Sequence, residues 1–485
     1  MAMTPLLGFT PDLPPETPGA LMDCDNLIPS ELGMKAAPSL QDPVIDALPA
    51  AAIGGVLAQY LDGTRRLIIG TAAALYEQTG TGFTDQSRVG GYTAGVDDRW
   101  RFAQFGNATV ATNGTDELQE SILTGAFADV PDTPPVTKVI EATQGFVFAF
   151  NNNSATYGDE PDGWWCSAIY NQDVWTPSIA AQSAKGRLVD APGPIVGAKA
   201  LGSDIVAYKE RSMFLGTYQG PPVVWGWRQV PGEIGAINHE CIVSIGTAHI
   251  FIGPDNFYIY DGTRPQPIGD VVRKWFFADL SPTYSYRIIG SHDIANGLVY
   301  WYYPSTAGDG TIDSAIVYSY RLNRWGLVSR SIECAVNYLA GSITYDNIGT
   351  TYATYDDLPA TPYDSPIWIA SKSILAIVDT SHKVMTVSGA GEDSSLTTGD
   401  IGDDWQYSTL SSVRLRSTSK PLTGSLQTYY KTVLDDPVAV GVVSDLIEGK
   451  FDLLISARWH RLKIDMTGSV ELSALDPVMT PDGAY

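Results

Sequence analysis

The sequence predicts an all-β chain whose main body is a β-propeller of six or seven irregular blades. Two observations carry this. First, an apolar β-type run that ends in a short polar turn, followed by a second run, recurs seven times: ALYEQTGTGF, TVATNGTDEL, SAIYNQDVW, MFLGTYQGPPVVWGW, NFYIYDGTRPQPIG, AIVYSYRLNRWGLVS and ILAIVDTSHKVMTVSG. Anchored on the last residue before each turn, the copies mark Tyr76, Thr112, Tyr170, Tyr218, Tyr260, Tyr320 and Asp379. Their mean spacing is about fifty residues, the length of a four-stranded blade. Second, 47 glycines, 31 prolines, 12 tryptophans and 25 tyrosines suit many short strands joined by turns. The best helical candidate, VVRKWFFADL (271–280), is short. A tandem of β-sandwiches would use the same strands and stays open as the alternative fold.

The elements follow in order. Residues 1–50 read as a proline-rich extended arm, with Pro11, Pro14, Pro15, Pro18, Pro29 and Pro38. Proline removes a ladder donor, so this segment can be strand only at an edge. The arm either lies loosely over the first blade or reaches a neighbouring subunit. Residues 51–400 hold the propeller. Within them, LAQYLDGTRRLIIGTAAALYE reads strand, turn, strand, turn, strand, and Asp62-Gly63 and Asp261-Gly262 suit tight hairpins, because glycine tolerates positive φ. Tyr258 and Tyr260 point to one face of their strand, Phe257 and Ile259 to the other. Two insertions, 151–165 and 349–368, read as long loops where partners could be met. Residues 401–485 read as a small β-sandwich-like domain. In ARWHRLKIDMTGSVELSAL, His460, Leu462, Ile464 and Met466 share one face and Trp459, Arg461, Lys463 and Asp465 the other. Thr467-Gly468-Ser469 then turns the chain into a second strand with Val470, Leu472 and Ala474, as in a half-buried hairpin.

Charge narrows the function classes. With 54 acidic and 30 basic residues the net charge is −24, and no Lys/Arg run occurs. A protein that grips a nucleic-acid backbone carries the opposite balance. Cys24, Cys166, Cys241 and Cys334 lie far apart with no C-x-x-C pair, and read as buried thiols. No signal-peptide pattern and no apolar run of membrane-spanning length is visible.

A search for chemistry yields no catalytic, cofactor or metal residues. The five histidines, His239, His249, His292, His382 and His460, show no metal-ligand spacing. His249, in AHIFIG, reads as a packed strand residue. Nucleophile-elbow and phosphate-loop motifs are absent. A glycosidase needs two facing carboxylates. Asp97, Asp98, Asp159, Asp204, Asp356 and Asp357 could supply them, but a chain this acidic always offers such pairs. Asp309–Asp313 is too short for a calcium loop. Trp164, Trp165, Trp225 and Trp227 either stack on sugars or fill the wedges between blades. The Gly-His and Trp-Asp marks of WD repeats are missing.

Several stretches resemble tail proteins of short-tailed bacteriophages. They are the opening GALMDCDNLIPSELGMKAAPSL, the strand–Asn-Arg-Trp–strand unit VYSYRLNRWGLVS, the run YDSPIW…ILAIVDTSHKVMTVSGAGEDSSLTTGDI, and the ending ISARWHRLKIDMTGSVELSAL. The resemblance covers most of the chain in order. It implies a tail nozzle, or tail hub: a propeller subunit in a homo-oligomeric ring of six below the portal and adaptor protein. Such a ring extends the DNA ejection channel and carries tail fibres, spikes or a needle. The expected setting is the virion tail, after assembly in the bacterial cytoplasm, with genome DNA passing through but not tightly bound. The resemblance transfers no catalytic residue, cofactor or metal. The alternative is a propeller that binds or degrades glycans as a receptor-binding tail component.

Overall fold

The computed structural model describes residues 4–339 and 373–484. It is built almost wholly of strands, with one α-helix, Arg273–Asp279, inside the predicted VVRKWFFADL stretch.

Seven four-stranded units surround one axis. Six are separate antiparallel sheets: residues 52–85 (blade 1), 101–129 (blade 2), 136–187 (blade 3), 195–229 (blade 4), 243–267 (blade 5), and a last one (blade 7) made of Cys334–Leu339, Ser373–Val378, Val384–Gly391 and Pro38–Gln41. The strands of 289–332 form blade 6, and their sheet continues beyond the propeller. The first strand of each blade lies innermost and neighbours the next one around the ring, and Ala52–Gln59 packs against Cys334–Leu339 to close it. The seven anchor residues fall one to a blade. They wander between the second and third strands, because insertions lengthen different hairpins: Thr112 ends a second strand and Tyr260 a third.

The second strands explain the near-continuous apolar runs. Each is covered on both faces, so successive residues enter different wedges. In Phe146–Ser154, Phe146, Phe148 and Phe150 pack towards blade 4 while Val147 and Ala149 pack towards blade 2. In Leu298–Tyr303, Val299, Trp301 and Tyr303 face blade 5, and Leu298, Tyr300 and Tyr302 face blade 7. A blade alone would leave both faces wet, and stacking removes that penalty at about 1.5–3 kcal/mol per large side chain.

Turn chemistry is regular where the sequence says Asp-Gly-Thr. Gly63, Gly262 and Gly310 adopt φ of 86°, 98° and 100°. In each, the Asp carboxylate accepts the Thr backbone N–H two residues on, at 2.9, 3.0 and 3.0 Å. The Asp309 stretch is therefore a third hairpin turn. The 151–165 insertion is not a loop: Phe146–Ser154 and Gly158–Cys166 pair along it, with a bulge between Phe150 and Asn152. Its polar composition reflects a hairpin end exposed to solvent, which composition alone does not distinguish from a loop. The 349–368 insertion lies outside the described residues.

The segment 1–50 divides. Pro38–Gln41 is the outer edge strand of blade 7, clasping the ring with the chain's own start. Earlier strands enter a sandwich with residues 394–484. One of its sheets runs Gly8–Phe9, Ala20–Asp25, Ser394–Thr398, Trp459–Met466, Gly424–Lys431, Ala439–Asp445. The other extends blade 6 through Leu27–Pro29, Met34–Ala36, Glu471–Ala484, Gln406–Ser419 and Lys450–Ala457. The arm is pinned as well. Asp12 accepts the backbone N–H of Lys274 and Trp275, at 2.6 and 3.0 Å, and so caps the helix. Phe9 stands edge-on to Trp275 with ring centroids 4.8 Å apart. One core runs from Phe257, Trp301 and Trp325 to Leu462, Ile464 and Leu472.

The predicted inward face of 459–466 holds, with His460, Leu462, Ile464 and Met466 all buried; on the opposite face Arg461, Lys463 and Asp465 reach solvent but Trp459 is buried too. The predicted hairpin does not. Trp459–Met466 pairs with Gly424–Lys431 and Ser394–Thr398, whereas Glu471–Ala484 pairs with Gln406–Ser419. The Thr467-Gly468-Ser469 turn crosses from one sheet to the other. Alternation marks the buried face of a strand but not its partner, and two inward faces meet equally well across a sandwich.

Candidate functional site

The residues singled out by sequence are scattered through the fold. His249 is fully buried between blades 5 and 4: its Nδ1 lies 2.7 Å from the Tyr208 hydroxyl and its Nε2 2.9 Å from the Ala200 carbonyl. Burial lowers it to about 4. His292 contacts the Tyr320 hydroxyl at 3.2 Å, His382 meets Glu333 at 2.6 Å, and His460 contacts Ser408. Asp97 pairs with Arg287 at 2.6 Å, and Asp98 accepts the Gly95 N–H at 2.6 Å. Asp159 and Asp204 stand just after hairpin turns of blades 3 and 4, and Asp356 and Asp357 lie outside the described residues. Among the described residues no cluster of three or more His, Cys, Asp or Glu side chains could hold a metal ion. No helix among them is long and apolar enough to cross a membrane.

The four tryptophans occupy wedges. Trp164, Trp225 and Trp227 belong to the blade 3–4 interface, where Trp164 and Trp227 lie 5.5 Å apart. Trp165 packs towards blade 2 and donates to the Trp175 carbonyl at 2.8 Å. Trp164, Trp165 and Trp225 are buried, so they present no ring face to a sugar. All four cysteines are buried free thiols.

Two features remain. The first is a cavity of about 530 Å³ on the propeller axis, reached by all seven inner strands. Glycines let the blades converge there. A Cβ on Gly54 would lie 2.4 Å from the Trp100 carbonyl oxygen, and one on Gly290 would lie 2.5 Å from Val243 and 2.9 Å from the Glu240 carbonyl oxygen. Charged side chains ring the cavity. Arg101 Nε is 2.6 Å from Glu240, and Lys199 is 3.5 Å from Glu141. Burial pushes the Glu240 carboxyl up, but the charge and hydrogen bond of Arg101 outweigh it and hold Glu240 below the usual range. Burial raises Glu141 despite Lys199. Burial, and then the charges of Lys199 and Arg101, keep His239 neutral. Sequence reasoning missed this cluster because its members come from four separate segments with no shared motif.

The second feature is an edge. Among the described residues, Ala439–Asp445 ends its sheet and pairs only with Gly424–Lys431. Residues 438–443 read VAVGVV, without a charge. Val440 and Val443 are 68% and 63% exposed, and Leu454, on Lys450–Ala457 of the facing sheet, is 75% exposed.

No protein family matches the sequence, and no curated protein matches it. Among solved structures, human WBSCR16 is similar at 7% identity, over 60% of this chain and 86% of that one, with a TM-score of 0.33. The WD40 domain of Neurospora crassa Pan2 is similar at 7% identity, over 72% of this chain and 95% of that one, with a TM-score of 0.40. These likenesses concern fold alone, and the sheet topology identifies the chain as a β-propeller joined to a β-sandwich.

Proposed function

We propose that this chain is a structural virion protein, the subunit of a tail nozzle ring in a short-tailed phage. The observation that carries the reading is the edge Ala439–Asp445, free among the described residues. Soluble proteins usually blunt such edges with charge, proline or a cover, because the unpaired ladder is a template for another chain. Here three exposed valines, Val440, Val442 and Val443, occupy it, and a neighbouring copy would bury them. The propeller–sandwich unit, whose sandwich shares a core with blades 4 to 6, suits a load-bearing subunit. The resemblance of the sequence to phage tail proteins supplies the setting: portal and adaptor on one side, fibres, spikes or a needle on the other.

Net charge supplies the expected bore. At −24 per chain, acids facing the lumen of a ring would reach a duplex within the Debye length of about 8 Å. They would repel DNA and forgo the counterion-release gain that makes basic channels sticky. The DNA path is the space enclosed by the ring, since the cavity on the propeller's own axis, about 530 Å³, is too small to pass a duplex.

Sedimentation and negative-stain imaging of the purified protein test the proposal. Rings are expected, alone or with the adaptor, and Val440→Glu with Val443→Glu should leave folded monomers. A monomer that ignores the adaptor and binds or cleaves polysaccharide refutes the reading and favours the glycan alternative.

A further inference from the structure

The axial cavity reverses the charge balance of the chain. Acidic residues outnumber basic ones across the sequence, yet Arg99, Arg101 and Lys199 face only Glu141 and Glu240 here. Arg101 and Lys199 are each paired with one of those carboxylates. Arg99 is different: its guanidinium donates to the Val96 and Asp98 carbonyls at 3.4 and 3.0 Å, and among the described residues it makes no ion pair. With His239 neutral and the Cys334 thiol pushed up to about 12 by burial, the lining side chains carry one positive charge in excess, although Glu240 and, outside the cavity, Asp97 both attract Arg99.

Arg99 is half-buried, and a cation even partly withdrawn from water without a bonded carboxylate is costly unless something offsets it. Burial depresses the Arg99 guanidinium, which is the sign of that cost. The rest of the lining is mixed: Ile53, Val56, Ile242 and Val336 form an apolar part around the glycines, and Ser244, Ser291, His292 and Asn337 add polar side chains. The inner strands are paired on one side only, so their free edges turn backbone groups to the axis. The volume lies within the range of about 300–1,000 Å³ usual for small-molecule sites.

We propose that the axial cavity binds a small monocarboxylate with an apolar body, its carboxylate held by Arg99. Arg99 can present two parallel N–H donors to a carboxylate, a geometry that lysine lacks. One net positive charge fits a monoanion better than a phosphate dianion. The site lies inside one subunit, so the inference stands whether or not the chain forms rings.

Calorimetric titration of the full chain with sodium benzoate, acetate and phosphate, at matched ionic strength, tests this. Saturable binding of benzoate is expected, tighter than acetate or phosphate. Arg99→Gln should weaken it about tenfold or more, the size of a lost charge-assisted hydrogen bond, and Arg99→Lys should weaken it less. Arg264→Gln, at an exposed position, should leave it unchanged. Because Arg99 also braces its loop, crystals of the unmodified protein soaked in 4-iodobenzoate give an independent reading: the iodine peak should lie on the axis. No saturable binding, equal binding by Arg99→Gln, a preference for phosphate, or iodine only elsewhere would overturn the proposal.

Discussion

Lowering the pH should loosen the joint between blades 4 and 5 through His249. The ring is fully buried. The neutral form satisfies both nitrogens, with Nε2–H donating to the Ala200 carbonyl and Nδ1 accepting from the Tyr208 hydroxyl. A second proton on Nδ1 would face the hydroxyl hydrogen and a buried charge without a counterion. Folded His249 therefore titrates at about 4, against about 6.5 in the unfolded chain. The sign follows from linkage. Between those values the unfolded state binds more protons, so this contribution is intact above pH 6.5 and is lost as pH falls towards 4. The size is about 2.5 units at 1.36 kcal/mol each, or roughly 3 kcal/mol. His239 is also depressed by burial, so the total slope is not His249 alone. Urea unfolding of the native chain and of His249→Gln, at steps from pH 4 to 7, isolates it by difference. The variant should be less stable at pH 7 and lose less stability on acidification. If both proteins show the same pH slope, the buried neutral histidine does not control this joint.

Other perturbations probe separate parts of the structure. Asp400 is buried between Lys431 at 2.9 Å and Arg461 at 2.8 Å, so Asp400→Asn should cost about 3–5 kcal/mol by leaving two cations uncompensated. A melting temperature within a degree or two of the parent would contradict this. Gly290→Ala forces a Cβ into Val243 and the Glu240 carbonyl oxygen and should cost about 1–3 kcal/mol, read in the same melts. Phe9→Ala should cost about 3–5 kcal/mol, because Phe9 is fully buried in the largest core. Deleting residues 1–20, which a loose arm would tolerate, should expose that core and raise dye binding. A filter assay at low salt should show no retention of duplex DNA, and submicromolar binding would count against an acidic lumen.

Much of the propeller was legible because its signals are local. Period-2 alternation marks strands such as Phe257–Tyr260, and Asp-Gly-Thr marks turns at Gly63 and Gly262 whose φ requires glycine. His249 read correctly as a packed strand residue. The axial cluster was not legible, since Arg99, Glu141, Lys199 and Glu240 meet only because seven inner strands converge. The 151–165 hairpin was misread because polar composition is shared by loops and by the wet ends of strands.

The sequence by itself determined the strand-rich class, the repeat length, the turn positions and the inward faces of strands such as Trp459–Met466. Each depends on neighbours a few residues apart. Tertiary structure alone decided that Pro38–Gln41 clasps blade 7, that the start of the chain builds the sandwich, and that Trp459–Met466 and Glu471–Ala484 lie in different sheets. An alternating strand states which face must be buried but not against what. That choice is made by whichever long-range pairing closes the core with every ladder group satisfied.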